Sequence, residues 1–390
     1  MSSSQLGTGP VFRVLDLFSG TGAIGFGLNQ GDRRFQTVLV NDINESACAT
    51  AKLNHPSTRV ECSPISEMGP PILDDILSDG PIDLVIGGPP CQGFSSLRPS
   101  RGTSLEDPRN ILYKEFHRVV RYLKPKAFLL ENVVGLVKAN QGLLLEDLIA
   151  GFADLGFVSD WRILNSAQFG VPQKRERFFL LGIRGDITNR DPIRLPEPTH
   201  WFEGKTIGLK DRSRLVRCDN PELPPAITAW EAISDLPSIQ SGESSNTYAG
   251  PPQNVFQSEM RQGVKALDLH KAAKHNAKMI DVMRVAGSNR NQLPEGMVTS
   301  GYSSCYSRIS ADEPAPTITV KFTSPASSKC IHPRDVRAIT PREAARFQSF
   351  PDRFRFAGSK TDIASQIGNA VPPGLAAAFA PVLSSYLIRG

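Results

Sequence analysis

A thiol, a carboxyl and two guanidinium groups have the types and settings in this sequence to act together on a planar substrate. Cys91 follows Pro89 and Pro90 and precedes Gln92-Gly93-Phe94-Ser95. Prolines stiffen the chain ahead of the thiol, and neighbouring glycines leave room around it. A thiolate held rigidly in this way suits nucleophilic attack; taken alone, Cys91 also reads as a small core residue. The apolar run AFLLENV delivers Glu131 at its end. Burial there would raise its pKa and make it a proton donor, with capping of the following turn left as the plainer role. Arg175 and Arg177 flank Glu176 at the start of RFFLLGI. Strand alternation sends both arginines to one face, where they could hold a phosphate or a base carbonyl.

The elements that must position these groups read as strands alternating with helices. Apolar runs mark strands at 11–17, 36–41, 82–86, 127–131 and 177–183, with helical patterns at 111–123 and 143–155. That alternation implies a mostly parallel sheet covered by helices on both faces. Ligands of such sheets bind beyond the carboxyl ends of the strands. There the first strand ends in Asp16 and the loop FSGTGAIGFG, and the second in Asn41-Asp42. A glycine loop followed about 20 residues on by an acid suits a nucleotide-like cofactor; a plain strand–helix turn shares the pattern. After about residue 184 the texture changes to Pro, Ser, Asn and Gly, with Trp201, Trp230, Tyr248 and Phe256 as burial anchors. A second, loop-rich domain is expected there, and 362–387 reads as a turn followed by an apolar helix.

Composition narrows the classes. The chain has 390 residues, 40% of them hydrophobic, enough for two domains. No run approaches the roughly 20 apolar residues that span a bilayer, and the polar, uncharged start of the chain has no signal-peptide pattern. A soluble, intracellular protein is expected. Six scattered cysteines and dispersed histidines lack zinc-ligand spacing, so free thiols in a reducing compartment are the economical reading. Net charge is +5. Residues 261–290 carry seven basic side chains against two acids, a surplus equal to that of the whole chain. Phosphate contact and a solvated helical face both fit that run.

The motifs, taken in order, resemble those of the DNA (cytosine-5-)-methyltransferases from the first strand to the last helix. DLFSGTG, GGPPCQGFS, DPRN, ENV, QFGVPQKRER, REAARFQSFPD and QIGNAVPP all resemble the family's motifs. The resemblance implies an α/β fold, a Rossmann-like S-adenosylmethionine-dependent methyltransferase sheet with a smaller loop-rich target-recognition domain. Residues 1–188 plus 365–390 would form the catalytic and cofactor-binding domain, and 189–364 the recognition domain and hinge.

It also assigns roles. Cys91 would be the nucleophile, Glu131 would protonate ring nitrogen 3, and Arg175 and Arg177 would complete the catalytic group. The cofactor, S-adenosyl-L-methionine, would be lined by Asp16, Phe18, Ser19, Gly20, Thr21, Gly22, Asp42, Ile43, Ile65, Pro89, Asn110, Asn369 and Ala370. Two positions depart from the usual pattern around adenine: Pro64 stands where an acid is common, and Ile43 where a larger aromatic is often found. DNA contact would fall to Gln92, Ser95, Arg98, Lys271, Lys274, Arg290, Tyr302 and Arg308, with 92–106 closing over a flipped base. The implied partner is double-stranded DNA carrying a specific short target. A cognate restriction endonuclease would be a genetic partner, and no metal or membrane is called for. A cytoplasmic, nucleoid-associated monomer is expected. An RNA cytosine methyltransferase would have a more compact recognition region, and a silent DNA-binding module would lack Cys91 or Glu131.

Overall fold

The computed structural model describes residues 9–90, 112–188, 191–204, 213–298 and 301–389. Cys91, Gln92, Ser95, Arg98 and Asn110 therefore lie outside the described residues, as does the 92–106 segment.

Strands β1 (Phe12–Leu17), β2 (Phe35–Asp42), β3 (Arg59–Cys62), β4 (Leu84–Gly87), β5 (Ala127–Asn132), β6 (Phe157–Asn165) and β7 (Glu176–Arg184) form one sheet in the order β3-β2-β1-β4-β5-β7-β6. The first five run parallel, while β7 is antiparallel to both β5 and β6. The sheet is thus mostly parallel, as expected, with β7 reversed against its two neighbours. The reason is local: only residues 166–175 join β6 to β7. A parallel pair needs a crossover of a dozen or more residues, usually through a helix.

Side-chain alternation builds two cores. Val14, Leu84, Ile86, Leu129, Phe179 and Leu181 face one side of the sheet. Leu15, Val85, Phe128, Leu130, Phe178 and Leu180 face the other. Helices α3 (Pro70–Ser78), α4 (Leu112–Leu123) and α5 (Leu143–Asp154) supply Leu73, Phe116, Val119 and Phe152 to the second core. The first core is closed by α1 (Ala23–Gly31) and by chain returning from the far end of the sequence. A Cβ on Gly27 would lie 2.3 Å from the Pro373 carbonyl oxygen, so that return depends on a missing side chain. Helix α2 (Glu45–Asn54) runs between β2 and β3, and α6 (Gly185–Thr188) follows β7.

The second half holds short helices α7 (Ala229–Ile233), α8 (Val255–Met260), α9 (Ala277–Val285) and α10 (Pro341–Phe347) among turns. Its core joins Ile233, Phe256, Ile318, Phe347 and Phe350 to Ile363 and Ile367. The last stretch is α11 (Lys360–Asn369), α12 (Pro373–Ala377) and α13 (Phe379–Leu387), where a single helix was expected. Helix α11 runs through residue 365, so the division drawn between 364 and 365 falls inside one helix. Among the described residues, no single helix is long and apolar enough to cross a membrane, and no group of three His, Cys, Asp or Glu could hold a metal.

Candidate active site

A cavity of about 900 Å³ opens beyond the carboxyl ends of β1, β2, β4 and β5. Its floor is the turn from β1 into α1. Phe18 there has φ +52°, a left-handed conformation rare for an aromatic residue and characteristic of constrained functional turns. The Ser19 amide donates to the Asn41 carbonyl (3.0 Å) and the Gly20 amide to Asp42 Oδ2 (2.8 Å). Asp42 Oδ1 accepts from the Asn44 amide (2.9 Å), so this carboxylate ties the loop to the start of α2. Each oxygen accepts one of these bonds and keeps further acceptor capacity. Phe18, Ser19, Gly20, Thr21, Asp42, Ile43, Ile65 and Pro89 line the cavity, as do Asn369 and Ala370 at the end of α11.

The opposite wall carries the acid. Glu131 and Arg177 line the same cavity and form an ion pair, Oε1 to Nε 3.1 Å, with both side chains largely buried. Burial raises the Glu131 pKa, and the charges of Arg177 and Arg175 recover only part of that rise. A Cβ on Gly88 would come within 2.9 Å of Glu131 Oε2, so only glycine leaves the carboxyl where it is. Asn132 donates to the Pro89 carbonyl (2.8 Å) and fixes the chain two residues before Cys91. Pro90, adjacent to that cysteine in the chain, also lines the cavity.

Several expected residues sit elsewhere. Asp16 is fully buried under the first turn of α1, facing Gly25, and burial holds its pKa well above the carboxylate range. It does not line the cavity. Gly22 shapes the turn at φ +72° without lining it. Arg175 precedes β7, so strand alternation does not govern it. Its guanidinium is buried, donating to the Ile318 carbonyl (3.0 Å) and the Gly368 carbonyl (2.9 Å). Arg308 donates to the carbonyls of Met283, Ala286, His332 and Asp335, which occupies its nitrogens inside the protein. Of the remaining basic candidates, Lys271 and Lys274 are exposed, and Arg290 donates to the Gly301 carbonyl. Tyr302 is 70% exposed.

Residues outside the expected cofactor set complete the cavity. Asn41 is buried and donates to the Glu61 and Ser63 carbonyls (3.1 and 3.0 Å), holding the turn after β3. Ser63 and Ser66 belong to that turn, and Thr361, Ser365 and Gln366 come from α11. Only tertiary packing brings α11 here, and its sequence marks it only through the QIGNAVPP resemblance. Ser19 Oγ, Thr21 Oγ1 and Ser63 Oγ are buried on the cavity wall without hydrogen-bond partners among the described residues.

A doubly covered sheet of this order, with its ligand cavity at the carboxyl ends of the strands, defines an S-adenosylmethionine-dependent methyltransferase fold. The family model for the C-5 cytosine-specific DNA methylases matches residues 12–385. The chain belongs to that family and is a DNA cytosine-5 methyltransferase. It is 33% identical to the type II methyltransferase M.AgeI of Thalassovita gelatinovora over 95% of this chain and 99% of that protein. It is 35% identical to M.NgoFVII of Neisseria gonorrhoeae over 93% and 83% of the two chains. Its fold is similar to that of the S. pombe Dnmt2 methyltransferase, with a TM-score of 0.59 at 17% identity over 96% and 98% of the chains.

Proposed function

We propose that this enzyme methylates carbon 5 of a flipped cytosine in duplex DNA through Cys91, with Glu131 as acid and Arg177 as the group that orients it. The observation that carries this reading is the shared cavity. The Glu131–Arg177 pair and the Pro89-Pro90 stretch line the same space as the Gly20–Asp42 loop.

The cavity fits S-adenosylmethionine by the chemistry of its walls. Three buried hydroxyls there lack partners among the described residues, and Asp42 keeps acceptor capacity for ribose hydroxyls. When bound, the cofactor supplies an electrophilic methyl group on a sulfonium. The protein must make cytosine carbon 5 able to accept it. Cys91 adds to carbon 6 while Glu131 gives a proton to nitrogen 3, which leaves carbon 5 enamine-like. Loss of the carbon-5 proton and expulsion of Cys91 then restore the ring. A stacked base is out of reach, so the nucleotide must leave the duplex.

Residues 189–364 are assigned to target recognition, with phosphate contacts from Lys271 and Lys274 and a further contact from the exposed ring of Tyr302. Arg308 is left out of that group because four of its five N–H donors are engaged by backbone carbonyls. The names of the relatives support a place in a type II restriction–modification system, protecting host DNA in the cytoplasm beside a cognate endonuclease.

The test is a labelled-methyl assay on duplex DNA and on transfer RNA, paired with duplexes carrying 5-fluorocytosine at the target. DNA alone should be labelled, and the fluorinated duplex should yield a covalent complex. Turnover by a Cys91→Ser variant, or label on transfer RNA only, would overturn the assignment.

A further inference from the structure

Two cysteines meet at the edge of the proposed cofactor cavity, and neither belongs to the chemistry above. Cys48 sits in the first turns of α2, buried, and its thiol donates to the Asp42 carbonyl at 3.4 Å. Cys62 ends β3, where the parallel register sets it directly beside Asp42. The Cys48 thiol and the Cys62 backbone therefore adjoin one residue from two elements. Cys62 is exposed while Cys48 is not, and neither is in a disulfide. Burial pushes the Cys48 thiol up to about 12, and its contact with the Cys62 thiol adds to the rise.

We propose that Cys48 and Cys62 form a redox modification site, oxidised by a peroxide to a disulfide that weakens cofactor binding. The consequence for binding rests on the cofactor reading given above; the chemistry of the thiols does not.

The exposed Cys62 reacts first. Its thiolate attacks the peroxide O–O bond, taking one oxygen as a sulfenic acid while the other leaves and is protonated to water. The Cys48 sulfur then displaces that oxygen as a second water, forming the S–S bond. Two thiols lose two electrons and two protons, and the peroxide is reduced to two waters. Cys48 makes a slow nucleophile in solution terms, but contact with its partner replaces a bimolecular encounter by an intramolecular one.

The cost falls on the cavity. The disulfide removes the proton that Cys48 donates to the Asp42 carbonyl, and it draws the sulfurs to about 2.05 Å. The carboxyl of Asp42 holds the Gly20 and Asn44 amides, and Cys62 leads directly into Ser63, Pro64 and Ile65 on the cavity wall. Both anchors of the loop shift together.

The experiment treats the full-length protein with hydrogen peroxide and maps disulfides by peptide mass spectrometry without reduction. S-adenosylmethionine binding is measured by calorimetry before treatment, after treatment and after dithiothreitol. The expected result is a Cys48–Cys62 peptide pair and an affinity about tenfold weaker, the usual size of coupling between adjoining sites, restored by the reductant. Cys62→Ser should bind normally and resist the peroxide. Absence of the linked peptides, or linkage with unchanged affinity, overturns the proposal. Reduced protein that fails to bind S-adenosylmethionine would instead refute the cofactor reading, with the peptide map still reporting on the thiols.

Discussion

Glu131 has two opposing influences on its proton. Burial raises its pKa, and the charges of Arg177 and Arg175 pull it back in part. An acid must hold its proton to donate it, so activity falls as pH rises through that raised pKa. Removing Arg177 takes away the larger counterweight. In Arg177→Met the alkaline limb of the pH–rate profile should move to higher pH, while the rate drops because the carboxyl is no longer oriented. Glu131→Gln should lose about 10²–10⁴ in rate, the usual size of a general-acid contribution, and show no such limb. Steady-state rates across pH decide this, and an unmoved limb in Arg177→Met would remove Glu131 from the acid role. Glu131 and Arg177 were legible because each adjoins an apolar run whose register fixes its place. Arg175, two residues earlier, looked equivalent and is not: β7 begins at Glu176, and outside a strand the alternation of faces has no force.

The same limit governs the elements. Strands β1, β4, β5 and β7 are nearly continuous apolar runs, and their positions follow from that pattern. Strands β3 and β6 lie at the two sheet edges and carry Arg59, Glu61, Ser159, Asp160 and Arg162, so nothing in their sequence separates them from loops. Helix α11 is placed at the site by the QIGNAVPP resemblance alone, since its polarity and spacing do not fix its position. Its end is held by the Arg175 guanidinium on Gly368, which places Asn369 and Ala370 at the cavity. Arg175→Ala should therefore act through stability. It leaves two buried carbonyls without donors, a loss of about 3 kcal/mol at the usual cost per orphaned group. Thermal melts should show a lowered Tm, with methyl transfer surviving at low temperature at a reduced cofactor affinity. Arg177→Met also unpairs a buried carboxyl and should lower the Tm, but it should lose turnover even at temperatures where the protein stays folded. An Arg175→Ala protein that melts normally would show that the staple contributes nothing.

Across the whole molecule, charge is divided between an interior use and a surface use that composition cannot distinguish. Arg337, Arg342 and Arg346 are almost completely buried, as are Asp235, Glu343 and Asp352. Arg346 bridges Asp235 and Asp352 (2.8 and 2.7 Å), and Arg337 forks onto Glu343. By residue type these look like ordinary surface charge, and this is why composition alone showed the core of the loop-rich half only through its aromatic anchors. The basic run at 261–290 is divided in the same way. Arg261 pairs with Asp235 and lies over the Tyr248 ring, and Arg284 pairs with Asp281. Lys271 and Lys274 stay exposed with no ion pair among the described residues. Only such free cations release counterions from DNA, at about 0.9 unit in the slope of log K against log salt per phosphate neutralised. Replacing Lys271 and Lys274 together by alanine should therefore flatten that slope by about 2 units, in equal measure for target and unrelated duplexes. Arg308→Ala should leave the slope unchanged and lower the Tm, because its guanidinium serves carbonyls and not phosphate. Fluorescence anisotropy titrations from low to moderate salt measure both slopes. An unaltered slope in the double lysine variant would move the phosphate-binding surface elsewhere on the molecule.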